Sequence, residues 1–178
     1  GIYDVRIERV AGNLTDHYDP RNKVLRLSDA TYGQCSVAAV GVAAHECGHA
    51  IQHARGYAPL QFRSVLVPVA NFGSMIAWPL IVLGLFINSQ SSALLINIGI
   101  LAFSLAVLFQ LVTLPVEYNA SGRAVRILAE TGMMQGEEIV ATKKVLNAAA
   151  LTHVASAAAA ILQLVRILIL TGGRRRDD

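Results

Sequence analysis

The sequence predicts a mainly α, integral membrane fold: a helical core, a small N-terminal β-hairpin and two to three transmembrane helices. Three observations carry that expectation. Apolar residues make up 54% of the 178-residue chain, and the mean hydropathy is +0.49. Residues 64 to 116 contain no Asp, Glu, Lys or Arg. Shortly before that run stands His45-Glu46-Cys47-Gly48-His49, inside a stretch with helical character. One domain is expected at this length.

The first segment, residues 1–63, combines the hairpin with the motif helix. Tyr3, Val5 and Ile7 alternate with Asp4, Arg6 and Glu8, the period of a half-buried strand. Asp19-Pro20-Arg21-Asn22 is a turn with Pro at its second position, joining Thr15–Tyr18 to Lys23–Leu27 in a short hairpin. A strand edge ahead of the motif helix can bind an extended peptide through main-chain hydrogen bonds; equally, the hairpin can serve only as a cover for the helix. Ser36 is the expected N-cap. Val37 to His53 holds no Pro and two Gly, and Arg55-Gly56 reads as the helix end with Gly at C′.

The uncharged run is too long for one membrane crossing and suits two, so residues 64–116 read as a transmembrane helical hairpin. Val65 to Ile87 makes about 34 Å of helix against a hydrocarbon core of about 30 Å. Asn88-Ser89-Gln90-Ser91-Ser92 is a polar turn, and Ala93 to Leu114 is the second crossing. Pro68 and Pro79 kink the first, which membrane helices tolerate better than soluble ones. Residues 117–145 read as a third-ligand helix followed by an amphipathic helix. Residues 146–171 read as a third crossing, with an Ala-rich helix packed on the core as the alternative. Arg166 lies near one end of it and can snorkel. Residues 172–178 form a charged tail whose Arg174, Arg175 and Arg176 suit lipid headgroups.

The chemistry sits in the motif. Residues four apart share a helix face, so His45 and His49 can point their imidazoles at one ion. Glu46 leans toward the same face, where its carboxylate acts as a base rather than a ligand. Zinc is the expected ion, one per chain, and lowers the pKa of water bound to it to about 7. A third ligand is required. The extended motif H-E-x-x-H-x-x-G-x-x-H is not met, because Gln52 and Arg55 occupy the Gly and third His positions. His53 lies about 12 Å along the axis from His45 and reads as a helix-end or supporting residue. After Asp29 the next Asp is Asp177. Glu130, Glu137 and Glu138 keep company with Lys143 and Lys144 and read as a solvated face. Glu117, the first charge after the apolar run, is therefore the expected third ligand beside His45 and His49, with water in the fourth position. His153, Arg123 and Tyr118 are candidate stabilisers of the transition-state oxyanion. His17 reads as a surface residue. Cys47 falls on the far side of the motif helix and reads as a small core residue; Cys35 lies about 18 Å away, beyond disulfide reach.

The net charge of +3 is modest, and the few aromatics are not interleaved with basic residues, so no nucleic-acid partner is expected. The expected partners are a lipid bilayer and a peptide or membrane-protein substrate; the oligomeric state is not legible. Two crossings return the chain to its starting side, which puts the motif helix and Glu117 on the same face. Arg55, Arg63, Arg123, Arg126, Lys143 and Lys144 flank the crossings and place that face in the cytoplasm. A third crossing would set the tail arginines on the other side.

Four stretches resemble the YugP-type neutral zinc metallopeptidases of bacterial membranes: Leu14-Thr15-Asp16-His17-Tyr18-Asp19-Pro20, Ser36-Val37-Ala38-Ala39-Val40, Ala43 through Gln52, and Leu114-Pro115-Val116-Glu117-Tyr118-Asn119-Ala120-Ser121. The resemblance covers almost the whole chain. It implies a zincin-like, multi-pass protein of the bacterial cell membrane with a zinc-dependent peptidase site, and an N-terminal span that this chain lacks. The layout is also similar to HtpX-type proteases, in which an acid four residues after the ligand Glu supports a ligand. Ser121 stands there, so that carboxylate is missing or comes from elsewhere, and a hydroxyl orients a histidine less strongly. The expected function is zinc-dependent endopeptidase activity with Glu46 as general base. The alternatives are a catalytically inactive zinc-binding membrane scaffold and a zinc hydrolase acting on a non-peptide substrate.

Overall fold

The structure is a computed structural model that describes residues 2–87 and 91–172; the tail arginines lie outside the described residues. The chain divides into two compact units. One comprises Gly1–Gln61 and Pro115–Thr152, the other Phe62–Leu114 and His153–Asp178.

The first unit opens with three strands: β1 (Arg6–Val10), β2 (His17–Asp19) and β3 (Val24–Ser28). The expected hairpin is present, with β2 antiparallel to β3 and Tyr18 opposite Leu25. The sheet is larger than a hairpin, because β1 pairs parallel with β3 to give the order β1-β3-β2. The strand read at the N-terminus is not half-buried: Ile7 is 63% exposed. Ion pairs hold its outer face instead, Arg26 with Glu8 and Arg9 with Asp29. The central strand β3 is the buried one, with Val24, Leu25, Leu27 and Ser28 all inside. Ser28 stays satisfied because Asp16 accepts both its backbone N–H and its hydroxyl, each at 2.8 Å.

Helix α1 (Val37–Ala54) starts and stops where the chain signals. The Ser36 hydroxyl accepts the Ala39 N–H at 3.2 Å. At the other end Gly56 adopts φ +62°, and the Gly56 and Tyr57 N–H groups return to the carbonyls of His53 and Gln52. This is a Schellman closure, which favours glycine at that φ. Behind α1 lie the C-terminal part of α3 (Ser92–Glu130) and the start of α4 (Glu137–Gly172), with Ala44, Ala124, Leu128, Met134 and Leu146 as the core. Gly41 meets the Thr142 methyl, and Thr142 satisfies its hydroxyl on the Glu138 carbonyl at 2.9 Å.

In the second unit α2 (Ala58–Phe86) packs on the N-terminal part of α3 through small residues. A methyl added to Gly73 would lie 2.8 Å from the Ala102 carbonyl, and one on Gly99 would lie 2.9 Å from the Ala77 carbonyl. Pro68 and Pro79 sit inside α2, and Pro115 sits inside α3. The second crossing and the Glu117 segment are thus one continuous helix of 39 residues, and the amphipathic stretch and the third apolar stretch are another of 36.

Helices α2, α3 and α4 are each long and apolar enough to cross a membrane. Their most apolar windows are only 28%, 22% and 11% buried inside the protein. An apolar surface on that scale is expected against lipid and costly against water.

Candidate metal centre

His45 and His49 sit one turn apart on α1, with ring centroids 4.7 Å apart and planes nearly perpendicular. Glu117 reaches them from α3, 72 and 68 positions away in sequence. Its Oε2 lies 3.1 Å from His45 Nε2 and 3.5 Å from His49 Nε2. The three donor atoms lie within 4.8 Å of one another, and this is the group among the described residues that could hold a metal ion. Bonds of 2.0–2.1 Å in a tetrahedron put ligand atoms about 3.3 Å apart, which the two His–Glu separations match. Glu117 is only 6% exposed and His49 8%, so these two donors are largely desolvated.

The helices can approach this closely because of Gly48, inside the motif. A methyl there would stand 2.5 Å from the Ala120 carbonyl of α3. No side chain larger than hydrogen fits at that crossing without pushing α3 away. The sequence marks Gly48 only as one of the two unspecified positions of the motif; its role depends on which backbone lies opposite.

Each imidazole is held from behind. His45 Nδ1 lies 3.0 Å from Ser121 Oγ, a hydroxyl supplied by α3. His49 Nδ1 lies 3.0 Å from Gln52 Oε1. Gln52 is fully buried, and its amide donates to the Val116 carbonyl at 2.8 Å and to Asn119 Oδ1 at 3.0 Å. Sequence reading treated Gln52 only as a departure from the extended motif. The available signal was a polar side chain one turn after His49 on an otherwise apolar stripe.

Glu46 is buried at the same place. Desolvation pushes its carboxyl above the ordinary range, and the neighbouring His49 and His45 oppose that rise. The Tyr18 backbone in β2 weakly favours the charged form of this carboxylate, and the Tyr18 hydroxyl lies 2.8 Å from His53 Nδ1. His53 is therefore a helix-end tether to the sheet and not part of the donor group. For His49, burial lowers the imidazole pKa, but Glu117 and Glu46 outweigh it, and the net shift is upward.

The remaining candidates are placed as follows. Arg123 donates from Nε to Asn119 Oδ1 at 2.7 Å and stacks its guanidinium over the Tyr57 ring. Tyr118 is half exposed beside Glu117. His153 is half-buried on α4, in the second unit. His17 is exposed, as expected, and binds the Thr15 carbonyl. Glu130, Glu137, Glu138, Lys143 and Lys144 are all exposed. Cys47 departs from its reading: it is exposed rather than in the core, and lines an apolar groove of about 510 Å³ with Ile2, Val5, Leu25 and Ile51. The groove runs between the N-terminal strands and this face of α1, so the packing there is incomplete.

The site thus brings two imidazoles and a carboxylate together at metal-ligand spacing, with a further acidic side chain, Glu46, next to His45 on α1. Residues 1–172 match the family described as "putative neutral zinc metallopeptidase", and the chain belongs to that family. Over 175 residues it is 47% identical to the "putative membrane protease YugP" of Bacillus subtilis (strain 168), a match covering 98% of this chain and 76% of the relative. No solved structure matches it significantly. Zinc is the metal of this family, and the His45, His49 and Glu117 group can bind one ion.

Proposed function

We propose that the chain is a multi-pass endopeptidase that hydrolyses peptide bonds with a metal-activated water, using Glu46 as general base. The observation that carries this reading is the triad of buried donor atoms with a fourth, acidic side chain beside it. His45 Nε2, His49 Nε2 and Glu117 would hold the zinc. Bound there, zinc supplies a Lewis acid and makes water acidic enough to attack near neutral pH. Glu46 takes the proton of the attacking water and delivers it to the leaving amine. Its burial supports that role, because a carboxylate held above its ordinary pKa is a better base.

Substrate binding along β2 fits the same arrangement. β2 is an edge strand, and it packs against α1, the helix that carries Glu46. An extended peptide added to that edge would run past the base. Arg123, Tyr118 and His153 stay as candidates for the oxyanion. Arg55, Arg63, Arg123, Arg126, Lys143 and Lys144 support a site on the cytoplasmic face of the bacterial cell membrane.

The test is cleavage of casein or a membrane-protein substrate by purified, zinc-loaded full-length protein in detergent. Glu46→Gln is expected to keep zinc and lose about 10²- to 10⁴-fold in rate, and Glu117→Ala to lose zinc. Proteolysis that survives both Glu46→Gln and chelation would defeat the reading. Zinc retention without any cleavage would assign the protein to a scaffold, and products other than peptides to another class of zinc hydrolase.

A further inference from the structure

Gln52 supplies no donor atom to the ion, yet its side chain is fully committed within the first unit. It is 0% exposed and uses its amide fully: Oε1 faces His49 Nδ1, and Nε2 faces the Val116 carbonyl and Asn119 Oδ1. The direction of every bond in this chain is determined by its ends. The Val116 carbonyl can only accept, so the group facing it must be the Gln52 NH₂. Arg123 Nε can only donate, so the Asn119 atom between it and Gln52 is the oxygen. Gln52 Oε1 is then the atom left for His49, and it can only accept. His49 Nδ1 must therefore carry the proton.

The consequence falls on the metal side of the ring. A neutral His49 protonated at Nδ1 presents a bare lone pair at Nε2, 3.5 Å from a Glu117 oxygen that is also an acceptor. Two acceptors facing each other repel unless a proton or a metal ion stands between them. His45 lacks this constraint, since the Ser121 hydroxyl can either donate to or accept from its Nδ1.

We propose that Gln52 is a positioning residue that selects the metal-binding tautomer of His49 and locks α1 to α3 beside Glu117; this rests on the reading of His45, His49 and Glu117 as ligands. Val116 immediately precedes Glu117, so one amide ties a histidine of one helix to the backbone that carries the third donor on the other. Arg123 anchors the far end of the relay through Asn119 and its stacking on Tyr57.

The test measures zinc affinity by chelator competition and metal-free thermal unfolding, on the full chain in detergent. Gln52→Leu keeps the volume and removes the acceptor. Gln52→Glu keeps an acceptor for His49 Nδ1–H and loses both donors. The expected order of affinity is wild type, then Gln52→Glu, then Gln52→Leu, with Gln52→Leu about 10- to 100-fold weaker than wild type. In the zinc-loaded protein, ¹⁵N-labelled histidine spectra should show a protonated Nδ1 on His49. Wild-type zinc affinity in Gln52→Leu overturns the proposal, as does an affinity loss that only tracks a drop in metal-free unfolding temperature. If Gln52→Leu does not fold, an unchanged affinity in Gln52→Glu together with a bare Nδ1 overturns it. Glu117→Ala, run alongside, separates the two levels: if it holds zinc normally, the ligand set itself is wrong.

Discussion

Helix α3 is brought close to a neighbour twice, by glycine both times, and the two crossings are otherwise built differently. Along residues 92–114 it meets α2 at Gly73, Gly84 and Gly99, with Ala77, Ile81, Ile96 and Ala102 opposite. The hydroxyls of this region bond back along their own helix, Ser104 to Ile100 and Thr113 to Phe109. Across the gap the Ser92 hydroxyl donates to the Gly84 carbonyl and the Arg63 guanidinium lies over the Phe109 ring. Along residues 115–130 α3 meets α1 at Gly48, and here polar bonds cross the gap: His45 to Ser121, Gln52 to Val116, and Gln52 to Asn119. Small residues set how near two helices come. Directional bonds set how they are rotated. A lipid-facing hairpin needs the first, whereas a metal centre, whose donor atoms must converge on one ion, needs both.

The sharpest way to break the comparison is to put a methyl at each crossing. Gly48→Ala would force a carbon to 2.5 Å from the Ala120 carbonyl. It should cost about 1–3 kcal/mol of stability, and zinc affinity should collapse with it, because α3 carries Glu117 away. Gly99→Ala meets the Ala77 carbonyl at 2.9 Å and should destabilise comparably while leaving zinc affinity near wild type. Thermal unfolding and chelator competition on both variants check this; equal zinc loss in the two would erase the distinction.

Acid attacks only the polar crossing. His49 in the metal-free site titrates above its ordinary 6.5, since Glu117 and Glu46 outweigh its burial. Its raised pKa favours the protonated form, so protons compete with zinc already above pH 6.5 and increasingly below it. Zinc affinity should therefore fall by about tenfold per pH unit once His49 is mostly protonated, and more steeply if other donors follow. Competition titrations between pH 8 and 5.5 measure the slope; a flat profile would mean His49 is not a ligand.

Ser121→Ala is gentler. It removes a hydroxyl that can serve His45 in either direction, and water can replace it, so zinc affinity should drop by about tenfold or less. A larger loss than that of Gln52→Leu would reverse the ranking of the two supports. The smallest effect has the opposite sign. Gly122 lies on α3 with nothing within 4 Å of an added methyl, so Gly122→Ala should stabilise by up to about 1 kcal/mol through helix propensity, without changing zinc binding. A destabilised Gly122→Ala protein would show that this turn of α3 has a neighbour.

What could be read directly was local. The H-E-x-x-H spacing, the Ser36 cap, the Gly56 stop and the uncharged run each depend on residues a few positions apart, and each appears where expected. Glu117 was reached by elimination, because aspartates and the other glutamates were few and could be placed elsewhere. The hairpin was legible from its turn, while the parallel pairing of β1 with β3 was not: β1 is mostly exposed, so its side chains carry little pattern to mark the partner. The helical wheel put Cys47 away from the histidines, but it could not tell that this face of α1 is exposed rather than in the core.

Chain order alone thus narrowed which residues could serve as donors and marked which segments are apolar enough to cross a bilayer, because periodicity and charge are properties of short windows. Only the folded arrangement settled how the donors are aimed. Gln52 and Val116 are 64 positions apart, and Gly48 opposes Ala120 across two helices. Neither pairing leaves a trace in local pattern, since a hydrogen-bond direction and a backbone contact exist only once two distant segments share one place.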